Sequence, residues 1–89
     1  MVAVTKEVLV GIVLQFFAKP SVAAIEITAE GVAVGDTLRI KGTTTDFEQT
    51  VESMEIDRQP VQNVGAGTSV GIKVKDRVRV HDKVFKLMV

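Results

Sequence analysis

The chain of 89 residues contains no cysteine, no tryptophan and no tyrosine, and its only aromatic residues are four phenylalanines. Without cysteine, disulfide bonds, thiol catalysis and cysteine-based zinc sites are excluded. The composition fits a reducing cytoplasm, which is where we expect the protein. Because aromatic residues are so few, a core has to be built mainly from Val, Ile, Leu, Ala and Met. Hydrophobic residues make up 46% of the chain, enough for one small domain, which we place at residues 1–89.

Charge and hydropathy exclude further classes of protein. Lys and Arg together number 11, as do Asp and Glu, so the formal net charge is zero. A protein that binds polyanions over its whole surface would be basic, so any contact with nucleic acid must be local. The longest apolar run, VLVGIVLQFFA at 8–18, is shorter than the roughly 20 residues that cross a bilayer. It also lacks the flanks of a signal peptide, so we expect no membrane partner.

Motifs for nucleotides, metals and catalysis are absent as well. No GxxxxGK[ST] occurs, and the glycine-rich GAGTSVG at 65–71 does not precede a helical pattern, so we expect no nucleotide. The single histidine, His81, stands beside Asp82, and this pair cannot supply the usual ligands of a catalytic zinc. We therefore expect no cofactor and no metal, and we predict that the chain is not an enzyme.

The pattern of the chain favours strands. Short valine-rich runs are separated by Gly, Pro, Thr and Asp, and no segment keeps an apolar period of 3.6 residues. Strands are predicted at 7–17, 22–28, 36–41, 48–57 and 68–74, with one or two more formed by RVRV (77–80) and KVFKLMV (83–89). Gly11, inside the first strand, indicates a bulge or a close approach of backbones. About six short strands separated by turns predict an all-β fold, a small closed antiparallel β-barrel.

Three motifs follow one another in the order VGDTLRIKG (34–42), VESMEIDR (51–58) and AGTSVGI (66–72). Together they resemble the second domain of the translational GTPases, the β-barrel that follows the G domain in elongation factor Tu and initiation factor two. The segments VGIVLQFF and AAIEI are similar to the hairpin that opens that barrel, so the resemblance spans almost the whole chain. It implies a stand-alone barrel of this type, without the G domain, that contacts ribosomal or transfer RNA.

The turn residues of these motifs have a structural explanation. Glycine adopts positive φ without a steric clash, which suits a tight turn into a strand or a sharp turn before one. We therefore assign structural roles to Gly35, Asp36, Gly42, Gly67 and Gly71.

Glu55 is the one residue to which the resemblance assigns a specific contact. A glutamate at the matching position of elongation factor Tu holds the aminoacylated end of tRNA, which makes Glu55 a candidate RNA-binding residue. Asp57 departs from the pattern, since an aromatic residue or histidine is expected there. A second carboxylate beside Glu55 would repel phosphate. The alternative is a solvated charge on the face of a strand.

The segment IKVKDRVRV at 72–80 carries a cation at every second position: Lys73, Lys75, Arg77 and Arg79. In one unbroken strand the four side chains would share a face. If KDR at 75–77 forms a turn, they cluster around the end of a hairpin instead. Both arrangements make them candidate RNA-binding residues through phosphate contacts. The alternative is a solvated face that discourages edge-to-edge pairing of sheets.

A second hypothesis is a protein–protein interaction module. Similar barrels are appended to some peptidases and RNA-modifying enzymes, so a lone copy could act in trans with such an enzyme. An exposed apolar patch around Phe16, Phe17 or Phe47 would favour this hypothesis.

Overall fold

The computed structural model describes residues 6–88, so the ends of the predicted domain lie outside it. Within this range the chain forms ten strands and no helix, and every strand pair is antiparallel. The predicted all-β antiparallel class is therefore confirmed. The strands are β1 (Lys6–Phe17), β2 (Val22–Ile27), β3 (Val32–Ala33), β4 (Thr37–Lys41), β5 (Asp46–Thr50), β6 (Met54–Ile56), β7 (Gln59–Val61), β8 (Asn63–Val64), β9 (Ser69–Lys73) and β10 (Lys83–Met88).

Eight of these strands form one sheet in the order β5-β4-β10-β1-β2-β9-β6-β7, and β3 pairs with β8 in a second, two-stranded sheet. The prediction of a closed barrel is wrong, because no main-chain ladder joins the two terminal strands, β5 and β7, in the described part of the chain. After β5 the chain turns toward the start of β4. There Val51 N donates to Asp36 O (2.8 Å) and Gly35 N donates to Val51 O (2.9 Å). The backbone N–H and C=O of Val51 are thus bonded to the residues before β4 and not to β7.

A side chain of β5 contacts the end of β9, which is not a neighbour of β5 in the sheet. Gln49 lies in β5, and its Nε2 donates a hydrogen bond of 2.8 Å to the backbone oxygen of Lys73, at the end of β9. Its Oε1 accepts a hydrogen bond of 2.8 Å from the backbone N–H of Lys75. One amide group therefore links β5 to the segment that leaves β9.

The core is built from the alternating residues of the long strands. In β2, Ala23, Ile25 and Ile27 are completely buried, whereas Glu26 is exposed. This is the period of two that a strand with one buried face requires. The fully buried core contains no aromatic residue; Phe16 and Phe47 pack against it from the side.

Gly11 has both of the features that its place in the first strand predicts. The register between β1 and β10 shifts between Leu9 and Gly11, which is a β-bulge. A Cβ at Gly11 would lie 2.6 Å from the backbone oxygen of Glu26, in β2. Only glycine allows the two backbones to approach this closely.

The last predicted strand region differs from expectation. Residues 77–80 are not a strand, because Arg79–Asp82 form a turn in which Asp82 N donates to Arg79 O (3.0 Å). His81, its third residue, has φ 76°, which is characteristic of a type II turn. Val74 and Val78 are buried and anchor the connection between β9 and β10 to the core.

Two short strands at the end of the main sheet form a tight hairpin. Asp57 (φ 50°) and Arg58 (φ 65°) make a two-residue turn between β6 and β7, with positive φ at both positions. This is the pattern of a type I′ turn, which matches the twist of the strands it joins. The outermost strand, β7, contains Pro60. In residues 6–88 no helix is long and apolar enough to span a membrane.

Candidate functional site

A cleft of about 520 Å³ lies where β4 and β10 end, beside the Arg79–Asp82 turn. Its volume is within the range of small-molecule sites in proteins. Cationic, apolar and polar side chains all contribute to it. The lining residues are Lys41, Gly42, Thr43, Val80, His81, Asp82, Lys83 and Phe85.

Two lysines face each other at this cleft. The register of β4 and β10 places Lys41 directly opposite Lys83. On its other side, Lys83 is opposite Ile12 of β1, so neither neighbouring strand offers it a carboxylate. Like charges in directly opposite positions destabilise a sheet. The ion pairs between described residues are made by Arg39 and Lys86, and neither lysine of the cleft takes part.

Asp46, opposite Lys41 on β5, is already bound elsewhere. Arg39 holds its two carboxylate oxygens through Nε (2.9 Å) and the guanidinium nitrogen Nη2 (3.0 Å), and also binds Glu7 at 2.6 Å. Hydrogen bonds from Arg39, more than the nearby charge of Lys41, hold the pKa of Asp46 below its usual value. The same two carboxylates raise the pKa of Arg39. Asp46 is therefore hydrogen-bonded to Arg39, and its interaction with the charge of Lys41 is weaker.

Asp82 lines the cleft and is 5% exposed. Its Oδ2 accepts a hydrogen bond of 2.8 Å from the backbone N–H of Arg79, which closes the turn. Its carboxylate lies so close to Gly42 that a Cβ at that position would overlap with it. Gly42 thus makes room for Asp82, and Asp82 shapes the turn that carries His81.

His81 is exposed and stands beside Asp82 at the cleft. Its backbone N–H donates to Val13 O (2.8 Å), and Val13 N donates to Asp82 O (2.9 Å), so β1 holds the turn in place. No group of three or more His, Cys, Asp or Glu residues is arranged to hold a metal ion within residues 6–88. The cleft therefore offers cations, an apolar wall and the pair of His81 and Asp82.

The four cations of the 72–80 segment are all exposed, but they do not share one strand face. Only Lys73 lies in a strand, at the end of β9. Gln49 brings the backbones of Lys73 and Lys75 together, and the ammonium of Lys75 is 5.9 Å from the ring centre of Phe47. Arg79 belongs to the turn at the far end of the connection, beyond the buried Val78. The alternative of a single unbroken strand is wrong, and the part of these cations in binding stays a prediction.

The remaining predicted residues lie elsewhere in the fold. Glu55 is exposed in β6, opposite Pro60 and Gly71, and away from the residues that line the cleft. Gly35 and Gly67 have φ 99° and 91° in their turns. Asp36 accepts a hydrogen bond of 2.8 Å from Ala33 N and lies 3.3 Å from the ammonium of Lys86.

The exposed apolar surface differs from the predicted phenylalanine patch. Phe17 is 45% exposed, but Phe16 and Phe47 pack against the core. Leu9 (46%) and Leu14 (42%) are exposed on the same strand, β1. The sequence analysis missed this row and the cleft.

Comparison with known proteins finds relatives that are named protease or collagenase. No protein-family profile matches the chain. An uncharacterised protease of Methanocaldococcus jannaschii is 37% identical over 83 residues, which cover 92% of this chain and 20% of the protease. A collagenase of Porphyromonas gingivalis is 32% identical over 85 residues, which cover 94% of this chain and 20% of the collagenase. The chain thus spans about a fifth of the length of the curated relatives it matches.

A solved structure shares the fold. The C-terminal domain of a putative U32 peptidase from Geobacillus thermoleovorans superposes with a TM-score of 0.81 at 19% identity. The superposition covers 97% of this chain and 98% of that domain. The identity is low, so this likeness concerns the fold.

These findings correct several predictions. The resemblance to the second domain of translational GTPases is wrong, and so are the expected roles in RNA binding and at the ribosome, because the matches are to peptidase proteins. The motifs behind that resemblance mark turns, such as the one at Gly35, and turn geometry carries no information about a ligand. The prediction that the chain is not an enzyme is overturned by relatives named protease and collagenase. The chain is therefore similar in sequence to a fifth of such proteins, and it has the fold of the C-terminal domain of a putative U32 peptidase.

Proposed function

We propose that this chain works as a domain of a peptidase assembly and docks on a peptidase unit through the outer face of β1. One observation carries the proposal: the matches cover 92% and 94% of this chain but only 20% of the protease and of the collagenase. In those relatives most of the sequence lies outside the matched segment. A larger unit is thus available to contact the domain.

The exposed apolar side chains of β1 support this choice of surface. Leu9, Leu14 and Phe17 are each more than 40% exposed along one strand at the middle of the main sheet. Leu9 is opposite the partly buried Phe85 of β10, which adds apolar area beside it. Several exposed apolar side chains on one strand favour an interaction site there. We propose that the peptidase unit covers these side chains of β1. The cytoplasmic location stays a prediction.

A chimeric collagenase tests the proposal. The matched 85 residues of the Porphyromonas gingivalis collagenase are replaced by this chain, and collagen hydrolysis is compared with that of the native enzyme and of a form lacking the segment. We expect the chimera to retain activity that the deletion form loses. Leu9→Glu and Phe17→Glu in the chimera should lower activity at least about fivefold, because a charge would be buried at the contact.

The matched control introduces the same charge elsewhere. Ala66 is exposed in the turn before β9, and Ala66→Glu should leave the activity of the chimera unchanged. The isolated variants are compared by thermal unfolding, so that a loss of folding is recognised. A folded chimera that is no more active than the deletion form would overturn the proposal. Equal activity of the β1 variants and the unmodified chimera would overturn the choice of surface.

A further inference from the structure

We propose that the cleft beside β4, β10 and the Arg79–Asp82 turn binds the C-terminal carboxylate of a peptide whose last side chain is apolar. The choice of a peptide end rests on the proposed function, since peptides are what a peptidase assembly handles. The choice of an anion rests on the cleft alone.

The positive charges of the cleft favour the binding of an anion between β4 and β10. Lys83 lies between Lys41 on one neighbouring strand and Ile12 on the other. Two ammonium groups in directly opposite positions repel each other, and removing water from them increases the repulsion. A carboxylate between them would accept charge-assisted hydrogen bonds from both, which are among the stronger hydrogen bonds in proteins.

The carboxylates of the chain itself are not bound between Lys41 and Lys83. Asp46 is opposite Lys41, but Arg39 binds both of its oxygens at 2.9 and 3.0 Å. Asp82 is buried, and its Oδ2 accepts the backbone N–H of Arg79. The carboxylates that stand next to the cleft are thus engaged in holding β4 and the turn, and neither is hydrogen-bonded to Lys41 or Lys83.

The apolar part of the cleft distinguishes a peptide end from a bare anion. Val80 is 51% exposed and Phe85 is half-buried, and both line the cleft together with the hydroxyl-bearing Thr43. Covering Val80 with an apolar side chain would remove that surface from water, which favours binding. The volume of about 520 Å³ accommodates one or two terminal residues of a peptide.

The cleft is held by regular structure. Lys41 and Lys83 are the terminal residues of β4 and β10, which pair with each other, and the turn is hydrogen-bonded to Val13 of β1 through His81 and Asp82. The backbone of the cleft is thus fixed before a peptide binds, which lowers part of the entropy cost of binding.

Titration of the whole isolated chain with a short peptide tests the proposal. The probe is acetyl-Ala-Ala-Phe with a free carboxylate, and the comparison is the same peptide with a C-terminal amide, followed by ¹⁵N–¹H NMR. We expect saturable shifts at the amides of Gly42, Thr43, His81 and Lys83 with the acid, and at least tenfold weaker binding of the amide. Affinity for the acid should fall as ionic strength rises, because the attraction is electrostatic.

Substituted variants test whether Lys41 and Lys83 contact the peptide. Lys83→Ala and Lys41→Ala should each weaken binding of the acid at least fivefold, and the spectrum without peptide shows that the variant is folded. Lys19→Ala is the matched control, since Lys19 is exposed in the turn between β1 and β2 and does not line the cleft. It should leave the affinity unchanged.

Three results would overturn the proposal: equal affinity for acid and amide, shifts that lie outside the cleft, or binding that survives both lysine variants. If inorganic phosphate binds as tightly as the acid, the cleft is a general anion site and the peptide end is wrong. Because no peptidase unit is present in these titrations, they can fail while the chimeric collagenase is active, and they can succeed while it is inactive.

Discussion

Replacing Gly11 with alanine is expected to lower the free energy of unfolding by about 1–2 kcal/mol. The added Cβ would lie 2.6 Å from the backbone oxygen of Glu26 and 3.0 Å from a methyl group of Ile25. The first distance is shorter than real contacts of a Cβ atom, and a backbone oxygen in the middle of a β ladder cannot turn away. Strands β1 and β2 therefore have to move apart at this point.

The magnitude follows from two opposing effects. Adding a methyl group to a well-packed interior costs about 1–3 kcal/mol. Replacing glycine also lowers the entropy of the unfolded chain, which stabilises the folded state by about 0.4–1 kcal/mol. The difference leaves a net loss of about 1–2 kcal/mol, which for a domain of this size lowers Tm by roughly 4–16 °C.

Urea denaturation and thermal unfolding measure the effect, with Gly65→Ala as the matched control. A methyl group added at Gly65 would meet open space, and the residue has no positive φ, so its replacement should be neutral or slightly stabilising. If Gly11→Ala is as stable as the unsubstituted chain while Gly65→Ala behaves as expected, the close approach of β1 and β2 does not exist as described.

Two further predictions concern side-chain contacts. Gln49→Ala removes two hydrogen bonds to the backbones of Lys73 and Lys75. It should lower the free energy of unfolding by about 1–2 kcal/mol and speed hydrogen exchange at the amide of Lys75. Unchanged exchange would show that these hydrogen bonds are not formed in solution. Asp46 has a folded-state pKa below its unfolded value because of Arg39, so its contribution to stability is present above that unfolded value, about pH 3.9, and is lost as pH falls through the folded pKa. Asp46→Asn should therefore reduce the loss of stability on acidification from about pH 5 to about pH 2, and an unchanged pH profile would contradict the contact.

Local patterns in the sequence were sufficient for the long strands. The apolar residues of 22–28 alternate, and Ala23, Ile25 and Ile27 are indeed the buried ones. The bulge at Gly11 was also predicted correctly, since it depends on the conformation of the residue at that position. Backbone requirements of this kind can be read from a few neighbouring residues.

The short strands and the last connection could not be predicted in this way. Strands β3 and β8 contain two residues each and cannot show a period. The alternation of 72–80 continued past the end of β9, but the chain turns at Arg79–Asp82 because the buried Asp82 accepts the N–H of Arg79. The structure thus shows neither of the two arrangements that the pattern left open, since β9 and β10 are not neighbours in the sheet and the turn lies at Arg79–Asp82.

The cleft depends on register, which the sequence does not display. Lys41 and Lys83 are far apart along the chain, and they become neighbours only because β10 pairs with β4 in one particular alignment. A signal was present: the lysine that ends 36–41 and the lysine that precedes VFKLMV both stand at a strand end. Without the order of strands, the sequence does not show that these two lysines are neighbours. The functional interpretation was wrong for a related reason, since motifs that fix turns recur in unrelated β proteins.

Pro60 limits how copies of this chain can join through their backbones. The two-residue turn makes Ile56 and Gln59 a hydrogen-bonded pair, so the next residue, Pro60, directs its backbone away from β6. Proline has no N–H that could donate a hydrogen bond to an added strand there. In the eight-stranded sheet the other terminal strand is β5. Its exposed Asp46 and Glu48 would meet the same acids of a second copy, so head-to-head pairing of two β5 strands is opposed as well.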